Sequence, residues 1–146
     1  MIGIHELEYI DIDKGFLQVL DNLVPSDLDY THAKEILEKI KSNPLHKIFV
    51  AEDIETHTIV GTATLLLEPK FINNGMIVGY IEDVAVRKGH ERLGIGKQVI
   101  KNVINYAKTI KHCTKILLYC SDKNRSFYEK LGFTLSKDTF VMKISQ

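Results

Sequence analysis

Two glycines stand in a turn between a predicted strand and a predicted helix, in the sequence RLGIGK, residues 92–97. Glycine has no side chain, so Gly94 and Gly96 let backbone N–H groups come close to a bound anion. The helix that follows presents the positive end of its dipole, and Arg92 and Lys97 add positive charge. This glycine turn predicts a diphosphate-binding site; the alternative is a tight strand-to-helix connection without a ligand.

Two better-known phosphate motifs do not fit the glycine turn. A nucleotide P-loop has the pattern GxxxxGK followed by Ser or Thr, whereas residues 89–98 read GHERLGIGKQ, with other glycine spacing and no hydroxyl after Lys97. A dinucleotide-binding fingerprint needs a third glycine, which GIGKQV lacks. We therefore expect neither an ATP-type P-loop nor a Rossmann site.

Other residues with chemical potential are few. Glu82 and Asp83 are adjacent in a predicted strand, so we expect their side chains to point to opposite faces of a sheet and not to form a paired-carboxylate site. Cys113 and Cys120 have no second pair at zinc-ligand spacing, and the six histidines are scattered singly. We expect no metal site, and free thiols as in a reducing compartment.

The composition of the 146-residue chain is that of one globular domain, with 45% apolar and 26% charged residues. The 19 basic and 19 acidic side chains balance, so no field attracts a polyanion and nucleic-acid binding is not indicated. Residues 1–13 include several acidic side chains, which does not fit a secretory signal. No apolar run reaches the ~20 residues of a membrane span. We expect a single domain over residues 1–146, in the cytoplasm and without a membrane partner.

Hydrophobic periodicity predicts the elements that position these residues. Strands are predicted at residues 4–10, 47–53, 58–68, 77–86, 115–120 and 139–144, and helices at 15–23, 31–41, after the glycine turn and at 121–131. Ser121 and Asp122 are candidate N-caps of the last helix, and Gly132 is its C′ residue. Short connections make the three middle strands antiparallel. The long helix after the glycine turn makes the strands on either side of it parallel.

The motif RLGIGK after a strand that ends EDVAV, followed by NRSFYEKLGF in the next helix, resembles the GCN5-related N-acetyltransferase family. The resemblance covers nearly the whole chain. It implies an α/β (α+β) fold with a mixed, mostly antiparallel sheet of about six strands, a central parallel pair that splays apart, and about four helices. It also implies acetyl-CoA as cosubstrate, its diphosphate held in the glycine turn, and no metal.

Three segments, GYIEDVAV, LLEPKFI and NRSFYEKLGF, look more narrowly like the eukaryotic-type glucosamine-6-phosphate N-acetyltransferase branch. This implies direct transfer of acetyl to the amine of glucosamine 6-phosphate in a ternary complex, supplying nucleotide-sugar synthesis. Asn124 would bond the cofactor, although an asparagine there is as often a helix cap. The implied cofactor-binding residues are Val84, Ala85, Val86, Arg92, Leu93, Gly94, Ile95, Gly96, Lys97, Asn124, Tyr128 and Lys130.

In the resembled enzymes Tyr128 donates a proton to the leaving thiolate, and Glu82 and Asp83 contact the amino sugar and its amine. Each assignment has a structural alternative. Tyr128 could be a core residue that packs on Leu131 and Phe133, and Asp83 could only satisfy backbone donors of a loop. The remaining implied substrate-binding residues are Lys70, Asn73, Thr114, Lys115 and Lys143.

Four positions depart from the resembled pattern, and the first is Ser26 in the N-terminal loop LVPSD, where the family has threonines. Tyr119 takes the catalytic position of an acidic residue that orients the amine, and a neutral phenol neither attracts an ammonium nor takes its proton at neutral pH. Lys143 stands in place of an arginine, and Glu91 stands where the glycine turn usually has Gln or Arg. Two alternatives stay open: an acetyltransferase for another small amine or a protein lysine, and a non-catalytic acyl-CoA-binding module.

The last predicted strand, TFVMKI, has apolar residues at positions 140, 141, 142 and 144. On a monomer it would be an exposed apolar edge, which favours pairing with a second chain. The resemblance implies a homodimer through this C-terminal strand. Thr114 and Lys115 of one chain would then meet Glu82 and Asp83 of the other.

Overall fold

A computed structural model describes residues 1–136 and Met142 of the chain. Within this part, five strands form one sheet in the order β1-β2-β3-β4-β5. They are β1 (Ile2–Glu6), β2 (His46–Asp53), β3 (Thr58–Pro69), β4 (Ile77–Val86) and β5 (Cys113–Leu118). Neighbours are antiparallel except β4 and β5, which are parallel, so the predicted topology is confirmed. Apart from Met142, the predicted sixth strand lies outside the described residues.

In the same described part of the chain six α-helices accompany the sheet, where about four were predicted. They are α1 (Tyr9–Asp13), α2 (Phe16–Leu20), α3 (Tyr30–Lys41), α4 (Ile72–Gly75), α5 (Ile95–Thr109) and α6 (Arg125–Glu129), the last preceded by a 3₁₀ turn at Asp122–Asn124. Segment α4 is a single turn in which Asn73 and Asn74 have φ values of 49° and 57°. None of the helices described is long and apolar enough to span a bilayer.

The first strand begins and ends earlier than predicted. The sequence favoured a strand over residues 4–10, but β1 covers residues 2–6 and α1 begins at Tyr9. The carboxylate of Asp11 accepts a hydrogen bond from the N–H of Glu8 at 2.8 Å, which satisfies a donor at the helix start. This cap, which the weak alternation of residues 4–10 does not reveal, turns the chain into a helix.

Two hydrophobic clusters cover the two faces of the sheet. Helix α5 buries Val99, Ile100 and Val103 on one face, as its periodicity predicted, while helices α1 to α3 cover the other. Gly61 lets α5 approach closely, because a Cβ there would lie 2.7 Å from Cγ2 of Ile95. The start of α5, and with it the glycine turn, is thereby held against the sheet.

Helix α1 is fixed to the sheet by a charged cluster that the sequence did not reveal. Asp11 and Glu52 are buried, His5 Nε2 lies 3.1 Å from Asp11, and Lys14 Nζ donates to Glu52 at 2.9 Å. The hydrogen bond from Lys14 lowers the pKa of Glu52, against the opposing effect of burial. One ring nitrogen of His5 and one carboxylate oxygen each of Asp11 and Glu52, atom types that bind metal ions, lie within 4.8 Å of one another. The ammonium group of Lys14 already supplies positive charge beside these carboxylates.

Candidate active site

The parallel strands β4 and β5 separate partway along β4. Their pairing ends at Ile81, whereas β4 continues to Val86. The N–H of Arg87 donates to the Val60 carbonyl at 2.8 Å on the β3 side, so alternation points the backbone groups of Val84 and Val86 the other way. Within the described residues no strand pairs with this stretch, which borders what we call the β4–β5 opening. The predicted parallel pair is confirmed, and its pairing stops five residues before β4 ends.

Ala85 does not share this exposure, although it was predicted as a cofactor-binding residue. It lies opposite Thr62 on β3, and alternation points its backbone groups towards that strand. Its side chain is buried among the residues that helices α1 to α3 cover. Ala85 therefore separates two residues of the opening without contributing hydrogen-bonding groups to it.

A β-bulge interrupts β4 at the opening. Thr64 lies opposite Glu82, and the register then slips by one residue, so that Ala63 faces both Asp83 and Val84. Asp83 has a φ of 49°, in the left-handed region. Asp83 and Thr64 line the same cavity, and Glu82, as the partner of Thr64, projects to that face as well. The prediction of opposite faces is wrong, because the bulge shifts the alternation by one residue.

This cavity lies between the sheet and helices α1 to α3, and we call it the helix–sheet cavity. Its volume is about 210 Å³. Apolar side chains, largely from the helices, form most of its lining, while the sheet contributes four polar residues: His46, Thr62, Thr64 and Asp83. Burial lowers the pKa of His46, and the charge of Asp83 only partly opposes that shift. At neutral pH the imidazole is therefore uncharged, beside a carboxylate that attracts cations.

Tyr128 lies on the other side of the sheet, in α6. Its ring is 8% exposed and packs edge-on against Phe127 and Phe133, with ring centroids 5.0 and 5.9 Å away. Burial, and secondarily Cys120, raise the pKa of the phenol, and no hydrogen bond contributes to that shift. Cys120 lies two residues after the end of β5, beyond its last pairing with β4. The tyrosine is thus a core residue whose phenol is protonated and lies near the opening.

The glycine turn stands at the carboxyl end of β4. Gly94 and Arg92 have φ values of 78° and 66°, and the first backbone bond of α5 runs from the N–H of Gln98 to the Gly94 carbonyl at 3.1 Å. The N–H groups of residues 95–97 therefore have no acceptor within the helix. A Cβ at Gly94 would meet no atom within 4 Å, so the space beside the turn is open. This arrangement suits a diphosphate.

The remaining predicted cofactor residues border the turn or α6. Leu93 is exposed, whereas Ile95 is buried and can offer a ligand only its backbone N–H. Asn124 makes no capping hydrogen bond at the start of α6, and neither does Ser121, so their predicted capping roles are not observed. Lys130 is exposed just after α6. Asn124 and Lys130 are thus available to a bound ligand.

A hydrogen-bond network that sequence reasoning missed braces the glycine turn. Glu91 Oε2 accepts from the N–H of Gly89 at 2.7 Å, and Glu91 Oε1 accepts from Asn22 Nδ2 at 3.3 Å. Asn22 Nδ2 also donates to the carbonyl of Val86 at 2.8 Å. Backbone N–H donors, including that of Gly89, lower the pKa of Glu91. The acidic residue at this unusual position therefore organises the backbone.

Four predicted substrate residues, Lys70, Asn73, Thr114 and Lys115, lie at the opposite end of the β4–β5 pair, and we call them the loop-end group. Lys115 is opposite Val78, five residues before Asp83, and five residues of strand span about 17 Å. Lys70 forms an ion pair with Glu68, which raises the pKa of the lysine. One chain does not bring this group to Glu82 and Asp83.

Two predicted residues remain apart from these groups. Tyr119 is 67% exposed and follows β5, at the edge of the opening. It lies near Tyr80, whose pKa is raised first by a hydrogen bond to Glu68. Lys143 lies outside the described residues.

The chain matches the family model described as "Acetyltransferase (GNAT) family" over residues 16–133. The match includes the β4–β5 opening, the glycine turn and Tyr128. The chain therefore belongs to the GNAT acetyltransferase family, whose members use acetyl-CoA.

Known relatives indicate which branch of the family the chain resembles. The chain is 45% identical over 96 residues to glucosamine 6-phosphate N-acetyltransferase of Schizosaccharomyces pombe, covering 66% of this chain and 84% of that protein. It is 32% identical over 132 residues to glucosamine 6-phosphate N-acetyltransferase 1 of Oryza sativa, covering 89% and 79%. The crystal structure of the Arabidopsis thaliana enzyme of that name superimposes with a TM-score of 0.92 at 29% identity, over 99% of both chains.

Reversing the charge of Lys97 should weaken acetyl-CoA binding. Lys97 is exposed in the first turn of α5, so Lys97→Glu replaces an attraction for the diphosphate by a repulsion without disturbing the core. We expect the dissociation constant of CoA to rise roughly 10-fold or more, the value of one or two charged hydrogen bonds. Calorimetric titration measures it, and Lys101→Glu, one turn along α5 and also exposed, is the matched control. Equal affinities for both variants would remove the diphosphate from the glycine turn.

Proposed function

We propose that the protein transfers the acetyl group of acetyl-CoA to the amine of glucosamine 6-phosphate, giving N-acetylglucosamine 6-phosphate and CoA. One observation carries the proposal: the β4–β5 opening has two carboxylates, Glu82 and Asp83, on the sheet face beside it. The names of the relatives in S. pombe, O. sativa and A. thaliana supply the substrate. The amine attacks the thioester directly in a ternary complex.

The donor is held by backbone groups. N–H groups of the glycine turn, with Arg92 and Lys97, bind the diphosphate. The pantetheine arm then takes the place of the missing strand along the edge of β4, where the backbone groups of Val84 and the N–H of Val86 face it, while the Val86 carbonyl accepts from Asn22. An N–H on this edge also stabilises the negative charge that develops on the acetyl oxygen.

The acceptor amine is held by negative charge and must lose a proton before it attacks. Glu82 and Asp83 attract the ammonium form, since they project to one face of the sheet. The proton can pass to Asp83 or to the uncharged His46 on the polar wall of the helix–sheet cavity. Tyr119 offers no carboxylate for this transfer.

Tyr128 completes the reaction by protonating the leaving thiolate of CoA. Burial keeps the phenol protonated well above neutral pH, and ring packing fixes its position. A group that is protonated and positioned before the reaction can donate as the C–S bond breaks.

The phosphate of the sugar is bound by the loop-end group of a second subunit. Within one chain these residues lie about 17 Å of strand away from Asp83, so a second chain is needed to combine them with the carboxylates. We propose a homodimer in which the C-terminal strand, with Lys143, crosses to the partner. Exposed Phe71 and Ile72, beside Lys70, supply apolar surface for such contact.

The product would serve nucleotide-sugar synthesis in the cytoplasm. Both cysteines of the chain, Cys113 and Cys120, are free, which suits a reducing compartment.

A second candidate function keeps the cofactor and changes the acceptor to another small amine. The helix–sheet cavity next to Asp83 favours it, since aliphatic side chains form most of its lining and suit an apolar body better than a hydroxylated ring. Acceptor competition separates the two candidates. A thiol-release assay should compare glucosamine 6-phosphate, glucosamine, a polyamine and a lysine peptide. We expect kcat/KM to be highest for glucosamine 6-phosphate; a higher value for any other amine would overturn the proposed substrate.

Replacing Tyr128 by phenylalanine should slow the chemical step. Tyr128→Phe keeps the ring packing and removes only the donor, so kcat should fall about 10²- to 10⁴-fold with little change in the KM for acetyl-CoA. Tyr106→Phe, in which a partly buried ring packed on Phe49 also loses its hydroxyl, is the control. A fall in kcat below threefold would make Tyr128 a packing residue alone.

Complementation between two inactive variants tests the shared site. Lys115→Ala removes a loop-end residue and Asp83→Ala removes a carboxylate, and each homodimer should lose activity. After subunit exchange, half of the dimers are mixed and one of their two sites is intact, so about a quarter of the wild-type activity should return. Differently tagged subunits verify the exchange. Exchange without recovered activity would show that a single chain builds each site.

A further inference from the structure

Hydrogen bonds join both ends of helix α2 to two consecutive residues, Val86 and Arg87, which precede the glycine turn. Arg87 Nη2 donates to the carbonyl of Gly15, just before α2, at 2.8 Å. Asn22 Nδ2, just after α2, donates to the carbonyl of Val86 at 2.8 Å. Val86 is the last residue of β4, and Arg87 follows it on the way to the glycine turn. The position of α2 is therefore set by the same backbone that carries the cofactor site.

The first tether is built rigidly. Arg87 Nε also donates to the Ile59 carbonyl at 2.8 Å, and the N–H of Ile59 donates to the Lys14 carbonyl at 2.9 Å. Gly15 has a φ of 89°, and a Cβ there would overlap Arg87 Nη2. Glycine is thus required for the approach of the guanidinium, which anchors the start of α2.

The second tether reaches the cofactor site itself. The Val86 carbonyl that Asn22 binds faces the β4–β5 opening, on the edge proposed for pantetheine. The same amide lies 3.3 Å from Glu91, whose other oxygen holds the N–H of Gly89 at the beginning of the loop. A change in this loop or edge on cofactor binding therefore acts directly on Asn22.

The other side of α2 forms a wall of the helix–sheet cavity. Phe16, Leu17 and Leu20 line that cavity, which Asp83 also borders. The end of α2 is exposed beyond Asn22, with Leu23 and Val24 in solvent. Within the described residues, Asn22 makes the side-chain contact that fixes this end to the sheet.

We propose that Asn22 is a positioning residue that couples the glycine turn to the wall of the acceptor cavity, so that cofactor and acceptor each strengthen binding of the other. The acceptor half of this inference rests on the proposed function; the cofactor half does not. Because coupling between two sites is reciprocal, the same factor must appear whichever ligand binds first.

Hydrogen exchange tests the cofactor half with CoA alone. In the wild type, CoA should slow amide exchange of residues 16–24, which form α2 and its end. In Asn22→Ala this protection should be lost, although CoA still protects residues 92–98. Asn105→Ala, an exposed asparagine on α5, should behave as the wild type. If CoA leaves residues 16–24 unprotected in the wild type, or protects them equally in Asn22→Ala, the proposal is overturned.

Calorimetry tests the acceptor half. Glucosamine 6-phosphate should bind the CoA-saturated wild type at least about fivefold more tightly than the free protein, the lower end of ordinary allosteric coupling. Asn22→Ala should reduce this ratio to below about twofold. Asn22→Asp, which keeps the size but loses the donor, should do the same, which excludes a cavity effect. A ratio unchanged in both variants contradicts the proposal.

The two experiments also separate this inference from the proposed function. A wild type that never binds glucosamine 6-phosphate would overturn the substrate, and the exchange experiment with CoA would still decide the role of Asn22. Conversely, normal acetylation of the sugar phosphate with an unprotected α2 would leave the function intact and reject the coupling.

Discussion

The backbone edge that β4 leaves unpaired is the constraint on which the site depends. An N–H or C=O group without a partner costs roughly 1–3 kcal/mol when it is buried, so a strand keeps an open edge only where water or a ligand reaches it. Strand β4 tolerates this because β3 pairs with it along most of its length, to Val86. The glycine turn lies at the end of this edge, and Tyr128 lies near the point where β5 departs. Both are placed to meet a ligand that lies along β4.

The bulge at Asp83 determines what each face of β4 presents. Ile81, Val84 and Val86 all pack against the cluster around α5, with a spacing of three and then two that no regular strand provides. The extra residue is Asp83, whose left-handed φ of 49° is strained for a side chain larger than glycine. Because of this extra residue, the side chains of Glu82 and Asp83 lie on the same face of the sheet, and the backbone groups of Val84 point into the opening. A single local irregularity therefore determines both which face carries the two carboxylates and which backbone groups border the opening.

Periodicity and glycine placement predicted most of the fold, because α5 and strands β2 to β4 have long, regular patterns. The same reasoning missed the bulge, since reading IVGYIEDVAV as a strand assumes unbroken alternation, and it led to the wrong faces for Glu82 and Asp83. It missed α1, which a local cap creates. It could not find the contact between Asn22 and Glu91, because 69 residues separate them and neither belongs to a motif. A local motif predicted the glycine turn. The side chains that brace the turn come from distant parts of the chain and meet only in the folded structure.

In the proposed reaction, Tyr119 stands where the resembled enzymes place an acidic residue, and this has two opposing consequences for the acceptor amine. A carboxylate there would attract the ammonium form, but the same attraction would raise the pKa of the amine and delay the deprotonation that attack requires. Glu82 and Asp83 lie on one face of the sheet, so two carboxylates are still present there to attract the ammonium form. Tyr119 is 67% exposed, so water screens whatever its position contributes. In the proposed reaction, a site with these two carboxylates and no third one would therefore bind the charged amine less strongly and, for the same reason, form the neutral, reactive amine more easily.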